Sequence, residues 1–181
     1  MRLRSAAIRA ATMQYLSGDM TIYTAHWQLK QWPQRYTRVS ISRGNPRWFP
    51  AGSYKTYRKL APGKWFKTES PQEYLDLYNA EILGKLDPRR VVEDLEALGP
   101  NPTMLCWEAP KDIEAGTHWC HRSICAQWLE DTLGIKVEEV GHPDMPRFRY
   151  LRGQHIAAPS YSAQPPTDLL DLLAIAVPAT E

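Results

Sequence analysis

The sequence predicts an α/β fold, a three-layer sandwich in which a small, mainly parallel sheet is flanked by helices. Segments of β-forming residues alternate along the chain with segments whose apolar residues recur at helical spacing, which favours parallel strands joined by helices. The chain has 181 residues, of which 43% are apolar and 23% are charged, as in an ordinary globular domain. This composition excludes a disulfide-stapled mini-protein, a collagen and a wholly disordered chain.

Four segments have the composition of strands. Residues 21–24 are β-branched and aromatic, and residues 36–42 alternate apolar with polar side chains. Residues 102–108 are the candidate for a buried central strand, and residues 136–140 predict the last strand. Residues 47–67 are rich in proline, glycine and aromatic residues without a clear period, and long loops of this kind are usually functional.

Three segments have helical signals. Ser70, followed by a proline and then by Glu73, predicts a capped helix start. Asp87 and the proline after it begin a second helix, which ends at Gly99. The third predicted helix covers residues 121–133, where apolar residues again recur at helical spacing.

These elements fall in residues 20–150, which form the predicted α/β domain. Residues 1–19 are rich in arginine and predict an N-terminal extension, although this composition also fits a transit segment or a start codon upstream of Met20. Residues 151–181 predict a C-terminal arm with a short helix. The three cysteines form no even framework, and no apolar run approaches the about 20 residues of a membrane span. We therefore expect a cytoplasmic protein without a membrane partner.

Charge is distributed unevenly along the chain. Residues 1–67 hold thirteen Lys/Arg and one acid, a net charge of +12, whereas residues 68–181 hold nine Lys/Arg and nineteen acids, a net charge of −10. The basic stretch, residues 43–67, interleaves cations with aromatic residues and has no acid. Cations can bind phosphates while aromatic rings stack on bases, so the stretch predicts a nucleotide or nucleic-acid partner. The ligand-binding candidates within it are Arg47, Trp48, Tyr57 and Arg58. Alternatively, acidic helices downstream neutralise the stretch.

The candidate site lies at the carboxyl ends of the strands, where parallel α/β sheets bind ligands. Arg43 follows the second strand, and Cys106 and Glu108 end the central one. Residues 120–122 (Cys-His-Arg) open a helix, whose N-terminus offers unpaired N–H groups and about half a positive charge to an anion.

Each charged residue of this site has a chemical role to which its side chain is suited. Arg43 and Arg122 carry planar guanidinium groups that bind phosphate or carboxylate. His121 could donate a proton or hold the anion. Glu108 could act as a general base, pair with Arg122 or contact a nucleobase edge. A purely structural Glu108–Arg122 ion pair is the alternative.

The cysteines allow several interpretations. Cys120, at a helix start, is expected to have a lowered pKa, and one interpretation makes it a nucleophile or redox thiol with Cys106 as its resolving partner. Alternatively, Cys106 is a small apolar residue of a buried strand, and Cys125 belongs to the core. Cys106, His118, Cys120 and His121 carry metal-ligating atoms, but they lack the close paired spacing of zinc knuckles, so we predict no metal site.

Residues 105–108 (LCWE), 120–124 (CHRSI) and 134–139 (GIKVEE) resemble the family named domain of unknown function 488. Residues 41–44 (ISRG) add support and are similar to a branch with a long basic insert. The resemblance covers about residues 20–141. It implies a small α/β sandwich, a cytoplasmic protein and a shared pocket at the motif positions, which are Arg43, Cys106, Glu108, Cys120, His121 and Arg122. Many members carry an acid two positions before the matched arginine, where this chain has Ile41.

The sequence therefore predicts a pocket for a phosphate-bearing ligand, a nucleotide or nucleic acid, with hydrolysis or transfer as the reaction class to test. One alternative is a thiol-dependent enzyme or redox sensor that uses Cys120 and Cys106. Another is a non-catalytic nucleic-acid-binding module formed by residues 47–67. No motif indicates an organic cofactor.

Overall fold

The computed structural model describes residues 21–67, 70–114 and 118–142. Its sheet has five strands, which are β1 (Thr21–His26), β2 (Thr37–Ser40), β3 (Lys55–Thr56), β4 (Pro102–Cys106) and β5 (Lys136–Glu139). Their order is β3-β2-β4-β1-β5, and all four pairings are parallel. The predicted α/β class and the central position of β4 are confirmed. The predicted N-terminal extension and C-terminal arm lie outside the described residues.

Among the described residues, four α-helices accompany the sheet, namely α1 (Pro71–Glu81), α2 (Pro88–Glu96), α3 (Pro110–Glu114) and α4 (His121–Leu133). The predicted capping box of α1 is present, because Ser70 Oγ accepts from the Glu73 N–H and Glu73 Oε2 accepts from the Ser70 N–H. Asp87 caps α2 by a single hydrogen bond, in which its Oδ1 accepts from the Arg89 N–H. None of the helices in the described part of the chain has the length and apolar surface needed to traverse a bilayer.

The two faces of the sheet are covered differently. On one face, side chains of the strands such as Ile22, Val39 and Met104 pack against α1, α2 and α4 in the main core. On the other face, Ala25, Trp27 and Leu105 form a smaller cluster. Its cover comes from aromatic residues of the basic stretch: the ring of Trp27 lies edge-on 5.1 Å from Phe49 and 5.2 Å from Tyr54. Some aromatic residues of the stretch therefore serve the core.

The basic stretch is more ordered than its sequence predicts, since it contains β3 and two 3₁₀ turns, Arg58–Leu60 and Lys64–Lys67. Lys59 Nζ lies 2.9 Å from Asp94 Oδ2 of α2, and Tyr57 donates its hydroxyl to the same oxygen. A downstream acidic helix thus neutralises part of the stretch, as the alternative interpretation predicts.

Candidate functional site

A cavity of about 370 Å³ lies at the carboxyl edge of the sheet. Four predicted site residues line it, namely Arg43, Cys106, Glu108 and His121. They come from the loop after β2, from the end of β4 and from the start of α4. The fold therefore brings these side chains together at the sheet edge where parallel α/β proteins bind ligands.

Cys106, Glu108 and His121 form the floor of the cavity. The Cys106 thiol donates to Glu108 Oε2 at 2.9 Å, and Cys106 Sγ lies 3.3 Å from His121 Nδ1. The other ring nitrogen, Nε2, lies 3.1 Å from the Ile41 carbonyl oxygen at the end of β2. A carbonyl only accepts, so Nε2 carries a proton and the ring orientation is fixed. Both nitrogens of His121 thus face protein atoms, which argues against its predicted role in holding an anion.

Burial shifts the pKa values of the two cysteine thiols. It raises the pKa of the Cys106 thiol and holds the pKa of the Cys120 thiol well above its ordinary value. Both side chains are enclosed, and Ile113 of α3 packs against them. The predicted lowering of the Cys120 pKa is wrong, because the loss of solvation outweighs the nearby charge of Arg122 and the helix N-terminus.

The pKa values of the two other ionisable groups of the floor, His121 and Glu108, shift in opposite directions. Burial disfavours a charged His121, but the adjacent Cys120 sulfur and the Glu108 carboxylate outweigh it and raise the pKa of the imidazole. Burial also disfavours a charged Glu108, but hydrogen bonds with the Cys106 and Cys120 thiols and the charge of His121 lower the pKa of the carboxyl. The two shifts favour opposite charges on the imidazole and the carboxylate.

Arg122 does not belong to the cavity. Its side chain is fully buried, and Nε and Nη2 donate to the two oxygens of Glu139 at 3.1 and 3.0 Å. Nη1 donates to the main-chain carbonyl of Glu108 at 2.7 Å and to Cys120 Sγ at 3.4 Å. Arg122 therefore does not belong to the predicted anion site, since an internal carboxylate already occupies its paired donors. The Glu108 carboxylate, predicted as its partner, bonds to Cys106 instead.

Sequence reasoning missed Glu139, the internal partner of Arg122. It ends β5 two positions after Val137, and both side chains are buried. Period-two alternation places the two residues on the same face of the strand. An acid at such a position needs a buried counter-charge, and this signal was available in the sequence.

Cys120 and the candidates from residues 47–58 lie elsewhere than predicted. Cys120 is buried behind Cys106 and is not part of the described cavity lining, and neither are the four candidates of the basic stretch.

The four candidates of the basic stretch have other surroundings. Trp48 is 59% exposed beside Phe49, and the Tyr57 hydroxyl is bound to Asp94. Arg58 donates to the Ser42 carbonyl, which supports the loop that carries Arg43. Arg47 is exposed.

Arg43 keeps its predicted position. It is exposed at the cavity, where Nη1 donates to the Pro62 carbonyl at 3.0 Å and the guanidinium lies 5.2 Å from the Phe66 ring centre. These two contacts use one edge and one face of the guanidinium. The group is anchored at the mouth of the cavity without an acidic partner among the described residues.

Aromatic rings form the walls of the cavity, namely those of Phe66, Tyr74, Trp107 and Trp119. Phe66 belongs to the basic stretch that the sequence predicts as ligand-binding, whereas sequence reasoning did not assign the other three to the site. Trp107 Nε1 donates to the Gly44 carbonyl at 3.0 Å and ties the end of β4 to the end of β2. Trp107 and Trp119 could have been found, because they adjoin Cys106 and Cys120 in the sequence.

Comparisons with protein-family models, with curated proteins and with solved structures found no match. The resemblance to the family named domain of unknown function 488 stays a prediction.

Proposed function

We propose that the cavity binds a phosphate-bearing small ligand with a planar ring, a nucleotide being the best candidate. The observation that carries the proposal is that Arg43 and four aromatic rings line one cavity of about 370 Å³. This volume lies within the range of small-molecule sites, whose walls are mostly apolar with a few well-placed polar groups. A guanidinium binds phosphate through paired donors, and an aromatic wall stacks on a base.

Glu108 supplies the chemistry in this proposal. Its carboxylate lines the cavity and is oriented by the Cys106 thiol at 2.9 Å. In hydrolysis or transfer at phosphorus, Glu108 accepts the proton of the attacking water or hydroxyl. The attacking oxygen bonds to phosphorus as the bond to the leaving group breaks, and solvent returns a proton to that group. Arg43 holds the charge of the phosphoryl oxygens throughout.

The thiol-enzyme alternative is favoured by one observation, which is that the sulfurs of Cys106 and Cys120 lie within 4.8 Å of each other. Their positions reverse the predicted roles, since Cys106 lines the cavity and Cys120 lies behind it. The raised pKa of both thiols argues against a nucleophile at neutral pH. Titration with a disulfide oxidant, read by mass spectrometry, tests this alternative directly.

The nucleic-acid-module alternative is weakened by the positions of the aromatic residues. Phe66 lines the cavity, whereas Phe49 covers the opposite face of the sheet and Tyr57 is buried beside α2. The rings of the basic stretch therefore do not form one stacking surface, which single-strand binding would need.

A binding experiment with a matched control tests the nucleotide proposal. We expect calorimetry with a panel of mononucleotides to find a ligand whose affinity falls about tenfold to a hundredfold in Arg43→Ala, the effect of losing a charged hydrogen-bonding partner. Arg47→Ala removes an equal charge from the same stretch outside the cavity and should leave the affinity unchanged. Equal losses in both variants, or no binding of any nucleotide, would contradict the proposal.

A further inference from the structure

Three potential metal ligands, two of them adjacent in the sequence, meet beneath the cavity. Cys106 ends β4, Cys120 precedes α4 and His121 is the first residue of that helix. One potential ligand atom from each lies within 4.8 Å of the other two, and all three residues are buried. For His121 the atom that faces the cluster is Nδ1, at 3.3 Å from Cys106 Sγ.

We propose that Cys106, Cys120 and His121 bind a thiophilic divalent cation, for which Zn²⁺ is the best fit. In tetrahedral coordination, Zn–S bonds of about 2.3 Å and a Zn–N bond of about 2.0 Å place two sulfurs about 3.8 Å apart and sulfur about 3.6 Å from nitrogen. The observed Cys106–His121 distance is 3.3 Å, and the other pairs are separated by at most 4.8 Å. Side-chain movements of about 1 Å therefore suffice to form the site.

The surroundings of the cluster orient two of the three ligands. His121 Nε2 donates to the Ile41 carbonyl at 3.1 Å, which leaves Nδ1 as the ligand atom. A metal-binding histidine usually donates its other N–H to such an acceptor. Arg122 Nη1 donates to Cys120 Sγ at 3.4 Å, and Glu139 fixes the guanidinium in turn. The hydrogen bonds around this donor set therefore orient it for coordination.

The chemistry of the donors selects the ion. Thiolate and imidazole ligands favour zinc over magnesium and calcium, which prefer oxygen ligands. Two thiolates and a neutral imidazole also balance the charge of a divalent cation, and the Cys106 thiolate then no longer donates to Glu108.

A set of three protein ligands leaves one tetrahedral position for another group, as in catalytic zinc sites. Cys106, His121 and Glu108 all line the cavity, so the remaining position faces it. The ion would act there as a Lewis acid beside the Glu108 carboxylate. The site stands on its own three ligands and does not depend on the nucleotide proposal.

Zinc titration of the full-length protein tests the site with a control within the same helix. After treatment with a chelator, the protein should bind one equivalent of Zn²⁺ in competition with a chromophoric chelator. Cys106→Ser, Cys120→Ser and His121→Gln should each weaken binding at least about 100-fold, since loss of an outer-shell partner alone costs 10- to 100-fold. The control is Cys125→Ser, at a buried cysteine that contacts the Tyr78 hydroxyl, and it should bind as the wild type does.

Two measurements on the wild type avoid any effect of substitution on folding. Zn²⁺ should protect Cys106 and Cys120 from alkylation, read by mass spectrometry, and leave the labelling of Cys125 unchanged. Co²⁺ should give the thiolate-to-metal charge-transfer absorption. Absence of Zn²⁺ binding, binding that survives the loss of both Cys106 and Cys120, or equal protection of all three cysteines would overturn the proposal. Arg43→Ala should retain Zn²⁺, which separates this test from that of the nucleotide.

Discussion

His121 and Arg122 are neighbours at the start of α4, yet their side chains lie in opposite surroundings. His121 faces Cys106 and forms part of the floor of an open cavity. Arg122 is enclosed by protein and pairs with Glu139. The cavity beside His121 is open to a ligand, whereas the donors of Arg122 are occupied by the internal carboxylate of Glu139.

The difference lies in where a counter-charge is available. Every nitrogen of the Arg122 guanidinium donates within the protein, to Glu139, to the Glu108 carbonyl or to Cys120. Arg43 has a carbonyl and a ring as neighbours, and no described acid pairs with it. An arginine after a strand end or at a helix start therefore indicates a ligand site only when no buried acid lies opposite.

The largest expected effect comes from breaking the buried ion pair between Arg122 and Glu139. Glu139→Gln should lower the free energy of unfolding by about 3–5 kcal/mol, because it leaves the buried guanidinium without its counter-charge. Denaturant titration measures the loss. Glu138→Gln is the matched control, since Glu138 is a partly exposed neighbour that pairs with Lys136, and it should change stability by less than about 1 kcal/mol. Equal effects at both positions would show that the Arg122–Glu139 pair is not structural.

The sequence predicted most of the fold because its signals were local. The capping box of Ser70 and Glu73 and the alternation in β2 act within a few residues, and both structures are present. β3 and α3 were not predicted. β3 has only two residues and exists through its pairing with β2, and α3 has only five, too few for a helical period to be visible.

The candidate site was predictable only in part. The strand-end rule found Arg43, Cys106 and Glu108, because it needs nothing beyond the location of the strands. Arg122 was assigned from its place at a helix start, and this rule could not exclude it, since its partner Glu139 lies on a strand whose place in the sheet no local pattern states. The clustering of Cys106 with Cys120 escaped a spacing test for the same reason, because the fold rather than the sequence interval brings them together.

The second prediction concerns Glu108, which lies at the open cavity with Cys106 and His121. Its expected effect is intermediate in size. Glu108→Gln should reduce turnover of a bound nucleotide about 100-fold or more, as expected for loss of a general base, while changing the nucleotide Kd by only a few fold. The free energy of unfolding should fall by no more than about 1–2 kcal/mol, since the amide still accepts the Cys106 hydrogen bond. Single-turnover kinetics and calorimetry separate the two effects. A change in Kd alone would make Glu108 a binding residue rather than a base.

The smallest effect belongs to Asp94, whose side chain is 18% exposed and pairs with two largely exposed cations, Lys59 and Arg90. Lys59 Nζ lies 2.9 Å from Asp94 Oδ2, and this hydrogen bond is the main cause that lowers the pKa of the Asp94 carboxyl. A lowered pKa in the folded state stabilises the protein above the pKa of the unfolded state, about 3.9, and this contribution disappears as the pH falls through the folded value. Asp94→Asn should therefore cost at most about 1 kcal/mol at pH 7, because the Lys59 side chain is 58% exposed and screened by solvent.

The pH dependence makes this last prediction specific. The difference in unfolding free energy between wild type and Asp94→Asn should shrink as the pH is lowered from 5 towards 3, since the unfolded carboxyl takes up its proton first. Added salt should reduce the difference at pH 7, because the two cations that pair with Asp94 are largely exposed. Chemical denaturation at several pH values measures both trends. A difference that persists at low pH would assign the effect to the hydrogen bond from Tyr57 instead of to the ion pairs of Asp94. The amide oxygen of the asparagine still accepts this hydrogen bond, but in a different geometry.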